Sequence, residues 1–211
     1  MRNVAIILIA MTLLVAVTAL PAAAGSYYLS GNLGMVFVDD SDLSADGYGK
    51  FGKLSFDDGY SMNVALGNTL GDGLRSELEL FYRTNDVDKG SASVPEVDID
   101  ASGSVNGKVS GLGAMANFYF DFENKSAFKP FIGVGGGYAN VDLEVEDASD
   151  DDWVFAYQAM VGCGYAVSKE LTLDLQYRYF ATEDPEYKVE GAEIDAEYRT
   201  HNLLLGLRYY F

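Results

Sequence analysis

Arg75, Glu77, Glu79 and Arg83 stand at even spacings along one stretch of this chain, as Asp174 and Arg178 do along another. Asp121 and Arg208 hold comparable places in two further stretches. In an extended strand, side chains two residues apart leave the same face, so these charges would form columns. A column of both signs can line a charged, gated passage. It can instead neutralise itself as an ion-pair network, plugging an interior only wide enough for side chains. The plug is the expectation, because a network that loses one partner is left with an unpaired buried charge. His201 is the only histidine, and Leu203, the next residue on its row, offers no hydroxyl. No catalytic residue is assigned, and the chain is not expected to be an enzyme. Asp98, Asp100 and Ser102 match the opening of a calcium loop, but its twelfth position is Val109 in place of the bidentate glutamate. They are weak metal candidates at most and are predicted to do turn chemistry. Cys163 is alone, so neither an intramolecular disulfide nor a cysteine-based zinc site can form. No cofactor is implied.

The elements that must position these charges show a period of two. Leu203, Leu205, Leu207, Tyr209 and Phe211 make one apolar row, against Asn202, Leu204, Gly206, Arg208 and Tyr210. The stretch is about ten residues long, the length at which a tilted strand crosses a bilayer. Seven earlier stretches repeat the pattern. Their apolar rows run through Leu29–Phe37, Tyr60–Leu66, Leu74–Tyr82, Leu112–Phe122, Ile132–Tyr138, Phe155–Tyr165 and Leu171–Tyr179. Between them, long polar loops are predicted over 39–59, 84–109, 140–152 and 181–198, alternating with short turns at 68–73, 123–127 and 168–170. An even strand number with long and short connections in alternation is the pattern of an antiparallel transmembrane β-barrel. The predicted fold class is therefore all-β, an eight-stranded antiparallel up-and-down barrel with both termini on the short-turn side.

Aromatic residues gather near the strand ends, as two membrane interfaces would select. Phe37, Tyr60, Tyr82, Tyr138, Tyr157 and Tyr179 form the belt by the long loops. Tyr28, Phe118, Phe120, Tyr165, Tyr209 and Phe211 form the other. The net charge is −18, which argues against nucleic acid as a partner. Of the 32 acidic residues, all but Asp72, Glu77, Glu79, Asp121, Glu123, Glu170 and Asp174 fall in the long loops, and none falls on an apolar row. A soluble lipocalin-like barrel would reverse this arrangement, with its apolar row inside and its charges outside. Arg2, an apolar run from Val4 to Leu20 and the small-residue site Pro21-Ala22-Ala23-Ala24-Gly25 read as a secretory signal peptide. Residues 1–24 are the expected signal peptide and 25–211 the barrel domain.

Several motifs carry a resemblance. Met115-Ala116-Asn117-Phe118-Tyr119-Phe120-Asp121-Phe122, Lys129-Pro130-Phe131-Ile132-Gly133-Val134-Gly135-Gly136-Gly137-Tyr138 and Tyr157-Gln158-Ala159 are three of them. Leu173-Asp174-Leu175-Gln176-Tyr177-Arg178-Tyr179 and Gly206-Leu207-Arg208-Tyr209-Tyr210-Phe211 complete the set. In this order they resemble the porin-family outer-membrane barrels of the OmpA-type and opacity-protein-like surface antigen group of Gram-negative cells. The resemblance implies an outer-membrane location with loops extracellular and both termini periplasmic. It also implies lipid and lipopolysaccharide as surroundings, and a closing strand (Leu205, Leu207, Tyr209 and Phe211) read by the barrel-insertion machinery. No cell-wall-binding domain follows the barrel in this sequence, so a peptidoglycan tether is not implied. The expected role is structural or surface-interaction, through acidic loops that could engage an external ligand and weakly share divalent cations with lipopolysaccharide. A narrow passive channel is the alternative. A lipid-modifying enzyme is the remote one, since His201 would be its base and its usual serine partner is replaced by Leu203.

Overall fold

The computed structural model describes residues 26–38, 41–45, 49–56, 58–94, 99–145, 148–183, 186–189, 192–196 and 198–211. The proposed signal peptide lies outside them. The strands are β1 (Tyr27–Val38), β2 (Ser41–Ala45), β3 (Gly49–Phe56), β4 (Gly59–Gly71), β5 (Leu74–Val94) and β6 (Ile99–Asp121). They continue with β7 (Phe128–Val145), β8 (Ala148–Ala166), β9 (Leu171–Thr182), β10 (Glu186–Val189), β11 (Ala192–Ala196) and β12 (Arg199–Tyr210). Eight of them, β1, β4, β5, β6, β7, β8, β9 and β12, pair antiparallel in that cyclic order. The ring closes where β1 meets β12, with Leu33 opposite Leu205 and Ser30 opposite Arg208. Closure leaves the wall no open edge, which is what lets a sheet sit in lipid.

The apolar rows face outward. Leu33, Leu78, Val134, Val161, Leu175 and Leu205 are all exposed on the outside of the wall. A soluble sheet would bury these residues, and here the hydrocarbon covers them. The 12 residues of β1 span ~40 Å along the strand, or ~29 Å at a 45° tilt, close to the ~30 Å hydrocarbon core. At one end the turns are tight. Asp72 and Gly73 take φ values of 51° and 80° between the paired Gly71 and Leu74. Positive φ at both central residues is the hairpin turn that Asp-Gly favours, and it matches the twist of the strands it joins. In the next turn the Asn124 side chain donates to the Phe128 carbonyl at 2.9 Å and accepts from the Ser126 amide at 2.7 Å. Ser168 Oγ accepts from the Glu170 and Leu171 amides in the third.

Two expectations need correction. The segments read as long loops are largely β-structure. β5 and β6 run on as 21- and 23-residue strands, and β7 and β8 have 18 and 19 residues. Residues 52–56 of β3 pair with 87–92 of β5, and β11 pairs with both β10 and β2. Outside a bilayer neither face of a strand must be apolar, so the ladder continues where the alternation that reveals strands stops. The other correction concerns Tyr28. It is fully buried and points into the barrel, so it belongs to no belt. Its ring lies over Gly67, where any Cβ would collide with the aromatic carbons. Of the remaining belt residues, Phe37, Tyr60, Tyr138, Tyr157, Phe118, Phe120, Tyr165, Tyr209 and Phe211 are exposed on the outer surface, and Tyr82 and Tyr179 are half-buried.

Candidate functional site in the barrel lumen

The inward rows of the eight wall strands fill the lumen in layers. The layer nearest the short turns is charged. Arg75, at the start of β5, donates from Nε and Nη2 to both carboxylate oxygens of Asp121 at 2.7 and 2.9 Å. Its Nη1 reaches the Tyr28 hydroxyl at 2.8 Å and Glu77 at 3.3 Å. Tyr28 in turn donates to Glu77 at 2.8 Å. Across the layer, Arg208 on β12 makes the same two-pronged contact with Asp174 on β9, at 2.6 and 2.8 Å. The guanidinium of Arg75 also stands over the Tyr119 ring, 4.4 Å from its centre. Planar pairs of this kind match the Arg fork to the carboxylate, and they are the geometry in which a buried charge is satisfied.

The middle layer is one hydrogen-bonded chain across the barrel. Arg178 on β9 donates Nη1 and Nη2 to Glu79 on β5 at 2.6 and 2.8 Å. With its amide oxygen turned toward Arg178, Gln176 accepts from Nε at 3.0 Å and Nη2 at 3.1 Å. Gln158 donates to Asn117 at 2.7 Å, and Asn117 donates to Glu79 at 3.1 Å. Glu79, Asn117 and Arg178 each expose 1% of their surface or less. A water-filled bore at this level would leave accessible area on them.

The layer toward the long hairpins is apolar. Phe81, Val109, Met115, Ala139, Val141, Val154, Ala156, Phe180 and Tyr198 pack there as one cluster. Phe81 and Phe180 meet edge-on at 5.4 Å between ring centres. The one signal of this cap in the sequence is the pair Phe81 and Phe180 on inward rows.

The structure therefore brings Arg75, Glu77, Glu79, Asp121, Asp174, Arg178 and Arg208 into contacts within the lumen. Arg83 is a correction. It lies in the apolar cap, donates Nη1 to Thr200 Oγ1 at 3.0 Å, and has no carboxylate partner among the described residues. The reason is depth, since Arg83 sits on the same row as Glu79 but two steps farther along β5. Among the weak metal candidates, Asp98 lies outside the described residues. Asp100 and Ser102 are in β6, opposite Ser93 and Ser91 of β5. An extended ladder replaces the turn expected there, and it does not wrap a cation as a calcium loop does. His201 is on the outward row, its Nδ1 2.5 Å from the Tyr177 hydroxyl, with Tyr179 also against its ring. Leu203 and Leu205 continue that row as exposed residues.

The family model of the outer membrane protein beta-barrel domain matches residues 7–211. An uncharacterized protein of Brucella abortus (strain 2308) is 28% identical over 246 residues, covering 90% of this chain and 86% of its own. A candidate adhesin of Rickettsia conorii (strain Malish 7) is 26% identical over 170 residues, covering 72% of this chain and 67% of its own. Among solved structures, the outer membrane protein OprG from Pseudomonas aeruginosa aligns with a TM-score of 0.57 at 19% identity. That alignment covers 89% of this chain and 96% of OprG, a likeness of fold alone.

Proposed function

Since the chain belongs to the outer membrane protein beta-barrel domain family, we propose that it acts as a surface-interaction protein of the adhesin or surface-antigen class. Its long hairpins would be extracellular, both termini periplasmic, and residues 1–24 removed as a signal peptide. The observation that carries this reading is the filled lumen. Charges that could conduct are instead paired or stacked and almost wholly buried, which leaves the outer hairpins as the surface able to meet a ligand. The acidic residues concentrated in those hairpins make a field that would select partners by charge. The candidate adhesin among the relatives fits the same class. No reaction is assigned.

The test uses cells that express the barrel with residues 39–58 and 183–197 replaced by short turns. Such cells are expected to keep the barrel in the outer membrane and to lose adhesion to host-cell or matrix surfaces relative to the intact protein. Unchanged adhesion would remove these hairpins from the function. In planar bilayers the purified barrel is expected to give no steady openings; persistent ion-selective conductance would replace this reading with the channel.

The closing strand carries a separate prediction. The Phe211 amide donates to the Tyr27 carbonyl at 3.0 Å, while the Phe211 side chain is exposed toward lipid. Deleting Phe211 removes the last rung of the β1–β12 seam and the terminal aromatic proposed as the insertion signal. The truncated chain is expected to reach the periplasm normally and to assemble several-fold less. Outer-membrane fractionation with heat-modifiable gel mobility measures both, and equal assembly would end the role given to this residue.

A further inference from the structure

We propose that Arg83 forms a receptor for a single carboxylate at the hairpin end of the lumen. Among the described residues the lumen holds four arginines, Arg75, Arg83, Arg178 and Arg208, and four carboxylates, Glu77, Glu79, Asp121 and Asp174. The numbers balance, but the placement does not. Glu77 shares Arg75 with Asp121 near the short turns. Arg83 is left as a fully buried cation at the other end.

The two unpartnered donors of Arg83 identify the ligand. A guanidinium presents Nε–H and Nη2–H side by side, a spacing that matches the two oxygens of a carboxylate. Arg75 gives that edge to Asp121 and Arg208 gives it to Asp174. Arg178 turns it to the Gln176 amide oxygen. Of these four, Arg83 is the one whose Nε and Nη2 both lack a hydrogen-bond partner among the described residues. The rest of the residue is already fixed. Nη1 is held by Thr200, and the guanidinium carbon stands 3.4 Å from the centre of the Phe180 ring and 4.6 Å from that of Phe81. Cation–π contact supplies part of the charge stabilisation, but it provides no oxygen acceptor for Nε and Nη2, in contrast to the paired edges of Arg75 and Arg208. The site is thus oriented, desolvated and short of one anion.

Two sources could supply the same chemistry: a free small carboxylate, or an acidic side chain from the chain's own hairpins. Sodium formate is the probe. The full-length barrel is labelled with ¹⁵N, folded in micelles, and its arginine Nε–H resonances are followed against sodium fluoride at equal ionic strength. Arg83→Lys identifies the Arg83 resonance; if that variant does not fold, Thr200→Val identifies it by removing the one existing hydrogen-bond partner. A free ligand predicts a saturable formate shift of this resonance in the intact barrel, with the other lumen arginines still. A hairpin carboxylate predicts no shift in the intact barrel. The formate response would then appear once Asp39, Asp40, Asp42 and Asp46, or Glu183, Asp184, Glu186 and Glu190, are changed to Asn and Gln. If formate moves the resonance in none of these proteins, or no more than fluoride does, Arg83 is satisfied by the aromatic clamp and the proposal is wrong.

Discussion

Glu79→Ala is expected to cost the barrel ~3–5 kcal/mol of stability, because it strips a buried guanidinium of its counter-charge. Arg178 would lose its two bonds to Glu79 and keep only the Gln176 amide oxygen, and Asn117 would lose the Glu79 oxygen to which its amide donates. Water could reach the exposed donors only by opening the lumen, since these residues have almost no accessible surface. The double substitution Glu79→Leu with Arg178→Met is expected to recover most of the loss, as it removes both charges and keeps the volume. Urea unfolding in lipid vesicles, followed by heat-modifiable gel mobility, measures all three proteins. A loss below about 1 kcal/mol for Glu79→Ala is the range of exposed pairs, and it would mean that water already penetrates the middle layer.

That pair also marks the limit of what the sequence discloses. Neighbouring strands are legible because lipid on one side imposes a row of apolar residues, and Leu203, Leu205 and Leu207 show that row directly. The inward column of Arg75, Glu77 and Glu79 is legible by the same period. Partners across the lumen are not. In the ladder Glu79 faces Ala65 and Met115, yet its ion partner Arg178 belongs to β9, 99 residues away and on neither adjacent strand. Such pairing depends on how far each strand is staggered around the ring, and side-chain periodicity carries no information on stagger. Arg83 shares the column of Glu79 but lies two steps farther along β5, and a column does not disclose where one layer ends and the next begins. Tyr28 differs, because the period itself places it: it is one residue out of step with the outward row that begins at Leu29, and it bonds Glu77 within. The continuation of β5 to β8 past the apolar rows was hidden because a strand in water on both faces has no alternation to show.

Leu205→Arg and Leu204→Ala, adjacent in sequence, are expected to injure the barrel by opposite routes. Leu205 is 69% exposed near the centre of β12, flanked by Leu33 of β1 and Leu175 of β9. Placing a guanidinium there puts it at mid-depth in hydrocarbon, at a cost of ~2–4 kcal/mol. Leu204 faces inward and is fully buried, so truncation leaves a cavity in the packed lumen, at ~2–5 kcal/mol. The two losses differ in how they respond to the surroundings. The Leu205→Arg penalty arises from the lipid, so it should shrink in short-chain or thinner bilayers, where the charge can reach the interface. The Leu204→Ala penalty arises from missing side-chain contacts and should stay constant across the same lipids. Unfolding free energies measured in a series of acyl-chain lengths decide the matter. If Leu204→Ala follows chain length and Leu205→Arg does not, the assignment of the two faces of β12 is inverted, and with it the reading of which residues this barrel shows to the membrane.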